Sequence, residues 1–406
     1  ALLDLLGKIL SHAPVLADAL AQRAELFDGL IDATALDLPP SVEDLAEQFA
    51  RTESGDDYQI LLDRVRARVG EKRFALGVQL IEGRHDALDI SAGYARVAEA
   101  AIQVLANATI KEFEMTHGKV SGSRLLILAL GRLGGEALTH ASDLDLVFLF
   151  SGDHGAESDG ERSLGATQYY NRLTARIVTA LSVPTAAGPL YEVDTRLRPS
   201  GTQGPLAVTL ESFYKYQRES AWTWEHMALT RARPVYGDKA DRASLEQEIR
   251  TILRKDREPE ILRKAVRKMR LDIVKHKPPK GPLDTKMMEG GLVDWEFIIH
   301  YLQLKTGEAL YPELGKAVRA LVAAGHLEGE MVTAHELMAR LLVALRLMSP
   351  DCDFPPVTSR ALIAKAAGQE SWDALLDGYD RARQCVIDAW NRHLRPDPDE
   401  ILGDII

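Results

Sequence analysis

The chain has 406 residues, 46% of them hydrophobic and 27% charged, with a net charge of −11. That length suits two or three domains with sizeable cores. The acidic balance excludes bulk attraction to nucleic acid, so any phosphate binding must come from a local basic site. No apolar run reaches the roughly 20 residues of a membrane span. Two cysteines, Cys352 and Cys385, are too few for a disulfide framework and point to a reducing, cytoplasmic setting.

Residues 1–118 read as helices. The start, ALLDLLGKIL, is amphipathic, with Leu2, Leu3, Leu5, Leu6 and Ile9 at helical spacing. It lacks the basic front and small-residue cleavage site of a signal peptide. It begins at Ala1 with no initiator methionine, as expected of a piece cut from a longer protein. Pro39-Pro40 breaks the helical run and Ser41 caps the next helix. Val97, Ala100, Ala101, Val104 and Leu105 continue the pattern.

The character changes near residue 119. Arg124–Leu130 and Leu144–Phe150 are apolar runs of strand length, joined by the turn-rich GRLGGEALTHAS. Residues 151–162 are loop-like. A helix is expected over Gly165–Leu181, with Tyr169, Leu173 and Val178 on its apolar side. Pro189–Leu197 reads as a third strand, closed by the RPSGTQGP turn cluster. From about Asp238 the pattern is helical again. Arg263–Lys277 carries seven Lys/Arg against one acid, Asp272. Glu330–Met348 and Ser371–Leu394 are further helices, and Asp397–Ile406 is an acidic tail.

Two acids stand in apolar company in SDLDLVFLF. Side chains alternate along a strand, so Asp143 and Asp145 share a face, about 6–7 Å apart. Held there, they repel each other and lose solvation unless a cation sits between them. Mg²⁺ takes oxygen ligands and keeps substrate phosphates in its shell. In YEVDTRLRP, strand alternation puts Glu192, Asp194, Arg196 and Arg198 on one face. Beside the Asp143 strand, Asp194 becomes a third ligand, and Arg196 and Arg198 are placed to hold phosphate oxygens. Gly134 and Gly135 let backbone approach a ligand and offer N–H groups to phosphates. Ser142 and Ser200 are further donors. A lone D-x-D is also a common strand end, and Glu192 with the two arginines also fits a cross-strand salt ladder. The three features together read as a nucleoside-triphosphate clamp.

Gly-Gly followed by Asp143-Leu-Asp145 resembles the signature of the DNA polymerase β-like nucleotidyltransferases. GRLGGEALTHASDLDLVFLF, YEVDTRLRPSGTQGPL, AWTWEHMALTRARPVYGD and EGGLVDWEFIIHYLQL together resemble glutamine synthetase adenylyltransferase. The resemblance runs from about residue 90 to residue 330. It implies an α+β, mostly helical fold: a polymerase β-like core of a small mixed sheet with helices, flanked by N-terminal helices and a C-terminal helical bundle. The regions expected are 1–118, 119–238 and 239–406. It implies Mg²⁺, as a two-metal site, on Asp143, Asp145 and Asp194, and ATP as substrate near Gly134, Gly135, Ser142, Arg196 and Arg198. No separate general base is obvious, and Asp194, next to the metal at the attacking oxygen, is the best candidate for a proton acceptor.

The family's enzymes carry two homologous halves. One transfers AMP to a tyrosine of glutamine synthetase, with pyrophosphate leaving, and the other removes it by phosphorolysis. YEVDTRLRPSG and AWTWEHMALTRARPVYGD resemble the adenylylating, C-terminal half. The phosphorolytic half and a silent module binding PII signalling protein or glutamine stay as alternatives. Glutamine synthetase is the implied partner, with PII and glutamine as effectors, and neither nucleic acid nor membrane.

LDTKMMEGG (283–291) departs from the more polar run usual there. Trp222 and Trp224 are expected in the core, with adenine or tyrosine stacking as the rival. Arg231 and Arg233 are within reach of phosphates or else solvated. Of Asp294 and Glu296 at most one faces the site, Glu296 as partner of a basic residue. The basic stretch 263–277 reads as a solvated face or a docking face, with His276 at the surface.

Overall fold

In the computed structural model, residues 2–30, 36–51 and 57–395 are described; the tail expected at Asp397–Ile406 lies outside them. The N-terminal region is helical as the spacing implies. It comprises α1 (Leu2–His12), α2 (Pro14–Gln22), α3 (Val42–Ala50), α4 (Tyr58–Glu82) and α5 (Ala87–His117). Ser41 caps α3, its hydroxyl accepting from Asp44 N–H at 3.1 Å. Asp57 and Asp86 cap α4 and α5 in the same way.

The sheet begins with β1 (Leu125–Ala129), followed by the single turn α6 (Gly131–Gly134) and β2 (Leu144–Phe150). Then come α7 (Ala166–Ser182), β3 (Val193–Asp194), β4 (Ala207–Thr209), α8 (Leu210–Glu219), α9 (Thr223–Leu229) and β5 (Arg233–Tyr236). The order is β3-β2-β1-β5, with β4 also on β2. β1 runs antiparallel to β2 and β5, whereas β3 and β4 run parallel to β2. β2 is therefore central, with β3 and β4 sharing one edge and β1 on the other. Burial on both faces explains the unbroken apolar run from Leu146 to Phe150. Phe148 and Phe150 are buried, and Phe150 stacks on Tyr170 of α7 with centroids 4.4 Å apart. Each buried phenylalanine contributes about 2–3 kcal/mol.

The third strand is shorter than Pro189–Leu197. Only Val193 and Asp194 pair with β2, and the chain then turns, with Arg198 N–H bonded to the Thr195 carbonyl at 3.3 Å. Strand alternation therefore stops at Asp194, and Arg196 and Arg198 leave its face. Strands β4 and β5 escape sequence reading because three or four residues carry too little periodicity.

The rest is helical: α10 (Lys239–Leu253), α11 (Pro259–His276), α12 (Leu292–Thr306), α13 (Leu314–Ala323), α14 (Glu330–Met348), α15 (Val357–Ala366) and α16 (Trp372–Leu394). α14 packs on α16, α15 and α5, so one apolar core runs from the N-terminal helices to the C-terminal bundle. Arg340 of α14 pairs with Asp86 at 2.8 Å across this junction. Among the described residues no helix is long and apolar enough to cross a membrane.

Gly134 and Gly135 serve this packing. A Cβ on Gly134 would lie 1.9 Å from the Arg231 carbonyl oxygen and 2.7 Å from that of Ala129. Both obstacles are backbone and cannot swing aside. Gly134→Ala is expected to destabilise the fold by about 1–3 kcal/mol, read as a thermal midpoint lowered by a few degrees. An unchanged midpoint would show that the α6 turn yields.

Candidate active site

β2 and β3 bring the acids together. Leu144 pairs with Val193 and Asp145 with Asp194, and Leu144 N–H donates to the Glu192 carbonyl at 2.9 Å. Asp143 stands just before β2. One carboxylate oxygen from each of Asp143, Asp145 and Asp194 lies within 4.8 Å of the others. Three like charges at this spacing disfavour ionisation of the least solvated one. Burial first, then Asp143 and Asp194, push the Asp145 carboxyl up to about 6, against Arg231 and Lys286. Asp194 goes the other way. Its hydrogen bonds from Arg196 hold it below the usual carboxylate range despite partial burial. Arg196 Nε donates to the two Asp194 oxygens at 3.0 and 2.8 Å, and its N–H to Oδ1 at 2.8 Å.

The other expected site residues are more mixed in placement. The Gly134 N–H is taken by the Leu130 carbonyl at 2.9 Å, and that of Gly135 by Gly131 at 3.2 Å. Ser142 Oγ accepts from Thr139 N–H at 2.9 Å and braces the loop into β2. Arg198 is buried and clamps its own turn. Its Nε donates to the Gly204 carbonyl at 3.1 Å and its Nη1 to the Thr195 carbonyl at 2.9 Å. Glu192 and Ser200 are exposed.

The glycine nearest the acids is Gly131, which spacing alone does not single out. Its φ is +55°, and a Cβ there would lie 2.0 Å from Asp145 Oδ2. Only glycine fits this approach.

Next to the acids lies a cation cluster. Arg132 interacts electrostatically with Arg231, Arg346 and Lys286, Lys286 also with Arg346, and Glu296 with Arg132, Arg231 and Lys286. Burial first, then Arg231 and Arg346, lower Arg132 to about 10 against the pull of Glu296. Lys286 keeps a solvent-exposed side. It is still enclosed enough that desolvation first, then Arg132 and Arg346, lower it against Glu296 and Asp143. Burial works to raise Glu296, but Arg231, Arg132, His300 and Lys286 outweigh it and hold the carboxyl low. Arg231 pairs with Glu296 at 3.3 Å. Among the described residues, the buried Nε atoms of Arg132 and Arg231 have no hydrogen-bond partner. Cations in excess of anions suit an anionic ligand.

Glu296 is thus the partner of a basic residue, as its spacing implies. Asp294 turns instead to buried Arg270 and accepts from Gly290 N–H at 2.7 Å. Arg233 is held by Glu99 at 2.7 Å and Glu136 at 3.4 Å. Trp222 and Trp224 are not core: they are 70% and 38% exposed. Arg132 and Lys286 were not legible as site residues, since a single basic residue in a loop or turn carries no pattern. His276 is at the surface, its Nδ1 2.7 Å from the Asp272 carbonyl oxygen.

The family model for glutamate-ammonia ligase adenylyltransferase matches residues 3–248. The chain is 41% identical over 379 residues to the bifunctional glutamine synthetase adenylyltransferase/adenylyl-removing enzyme of Brucella suis, covering 90% of this chain and 38% of that protein. It is 42% identical over 305 residues to the protein of the same name from Rhizobium meliloti, covering 75% of this chain and 31% of that one. The chain thus spans about a third of the length of these relatives. It belongs to the glutamate-ammonia ligase adenylyltransferase family.

Proposed function

We propose that this chain is the adenylylating half of such an enzyme, moving AMP from ATP to a tyrosine of glutamine synthetase. The observation that carries the reading is the three-acid cluster of Asp143, Asp145 and Asp194 set directly beside a cation pocket. Acids that gather a divalent cation and arginines that hold a phosphate tail are the two halves of a nucleotidyl-transfer site. The assignment to the adenylylating half rests on YEVDTRLRPSG and AWTWEHMALTRARPVYGD. A core at 119–238, helices at 1–118 and a helical region at 239–406 remain the proposed division. PII and glutamine remain proposed effectors of the longer enzyme.

The donor set suits Mg²⁺. It consists of hard carboxylate oxygens, and the raised Asp145 carboxyl marks negative charge that lacks compensation. Mg²⁺ held there would neutralise phosphate charge and make the acceptor hydroxyl more acidic. Arg132, Arg231 and Lys286 would hold the β- and γ-phosphates. The tyrosine oxygen would attack the α-phosphorus in line, and the bond to pyrophosphate would break on the opposite side. Asp194 would accept the tyrosine proton only when Arg196 lets go, since their pairing makes it a poor base. Arg196 is exposed, and once released it is placed to meet phosphate oxygens.

Asp143→Asn or Asp145→Asn is expected to cut labelling of glutamine synthetase from [α-³²P]ATP by about 100-fold or more, with circular dichroism unchanged. Full activity in either variant would sink the metal assignment. Supplying adenylylated glutamine synthetase with phosphate separates the removing activity, since ADP would then accumulate. Lys286→Ala is expected to raise the KM for ATP about tenfold with a smaller change in kcat. An unchanged KM would remove Lys286 from the phosphate site.

The pH dependence has a definite sign. The folded pKa of Asp145 lies above its unfolded value, so the unfolded chain loses this proton first. Stability therefore falls as pH rises from about 4 to about 6, and the full penalty persists above that. A bound cation relieves it. Mg²⁺ is expected to raise the thermal midpoint at pH 7.5, less at pH 5, and not in Asp145→Asn. A shift of equal size at both pH values would contradict the role of Asp145.

A further inference from the structure

A cavity of about 660 Å³ opens between α9, α11 and α12. Val293 and Phe297 of α12 and Met269 and Ile273 of α11 line it, with Trp222 and Trp224 at one side. Large exposed aromatic rings beside an apolar cavity mark a binding surface rather than a packing accident. The backbone that carries them is anchored. Buried Glu225 accepts from the Trp222 N–H at 2.8 Å and from the Tyr216 hydroxyl at 2.9 Å. His226 Nε2 lies 2.8 Å from the Gln217 carbonyl oxygen, which anchors the same turn to α8. Both rings therefore project from a hydrogen-bonded helix start.

Lys286 and Glu296 line this cavity and also belong to the cation cluster, so the two adjoin at these residues. Lys286 also acts electrostatically on Asp143 and Asp145. A ligand with an anionic tail on Arg132, Arg231 and Lys286 would thus place an uncharged, flat portion in the apolar cavity. We propose that this cavity, walled by Trp222 and Trp224, takes the adenosine end of the nucleotide, with the purine ring against an indole face. The proposal rests on the nucleotide-binding reading of the acids and deepens it. Base–aromatic stacking needs only π-faces and tolerates an open, partly wet wall. Thr223, Asp272 and Lys268 line the same cavity and offer polar groups to the purine edge and the ribose hydroxyls. The acceptor tyrosine is the less suitable occupant. In-line attack requires it to come from the side opposite the departing pyrophosphate, and Lys286 ties this cavity to the pyrophosphate side.

The test is calorimetry on the 406-residue chain in Mg²⁺, with ATP and inorganic tripolyphosphate as separate probes. Trp224→Ala is expected to weaken ATP binding by about 5- to 100-fold and to leave tripolyphosphate binding unchanged. Trp224→Phe is expected to keep most of the affinity. Equal loss for both probes, or no loss for either, would overturn the proposal. So would unchanged ATP affinity with a fall in glutamine synthetase labelling, which would hand the cavity to the acceptor. Wild-type chain that binds tripolyphosphate as tightly as ATP would overturn the adenosine site and leave the phosphate site standing. Wild-type chain that binds neither would overturn both readings.

Discussion

Repulsion among three carboxylates is the constraint that the surrounding structure serves. Asp145 sits on a central strand whose other side chains are buried, and its register partner across β3 is another acid, Asp194. Left alone, such a set would splay or protonate; burial first, then Asp143 and Asp194, push the Asp145 carboxyl up to about 6. What prevents splaying is the apolar anchoring of β2 between β1 on one edge and β3 and β4 on the other. A shift of the strand by one residue would carry every side chain to the opposite face and take Asp145 out of register with Asp194. Hydrophobic burial thus holds the acids in an arrangement that electrostatics alone would reject.

The same logic extends to charge segregation. The chain is acidic overall, yet Arg132, Arg231 and Lys286 gather around Glu296, and Arg346 acts on Arg132 and Lys286. Glu296 keeps that gathering tolerable without neutralising it. Two opposed charge excesses, negative at the strand ends and positive beside them, would each be relieved by the opposite part of a metal–nucleotide complex. Gly131 lets the α6 turn approach Asp145, since a side chain there would displace its carboxylate. Arg196 meanwhile occupies Asp194 and offers a stand-in positive charge.

Much of this was legible in the residues. Long helices with capping residues, the two long strands and the three acids follow from periodicity, alternation and the oddity of acids in apolar company. The misses have physical causes. Pro189–Leu197 has the alternation of a strand, but pairing along the β2 edge ends after two residues, where the RPSGTQGP turn bends the chain away and β4 takes over the rest. That bend puts Arg198 to work within its own turn. Gly134 and Gly135 look like a phosphate loop, yet their freedom from a Cβ is used against the Arg231 backbone and side chain. The Trp222 and Trp224 rings look like core and are exposed, because a surface cavity and a core both call for apolar residues. Lys286 is one lysine in a loop, and only the folded chain brings it to the acids.

The central claim is that Asp143, Asp145 and Asp194 jointly hold a divalent cation for nucleotidyl transfer. Anomalous diffraction from crystals grown with Mn²⁺ and a non-hydrolysable ATP analogue tests it most directly. A peak between the three carboxylates, with the triphosphate running toward Arg132, Arg231 and Lys286, is the expected result. A nucleotide bound with no metal peak among those acids, or with its phosphates elsewhere, would contradict it.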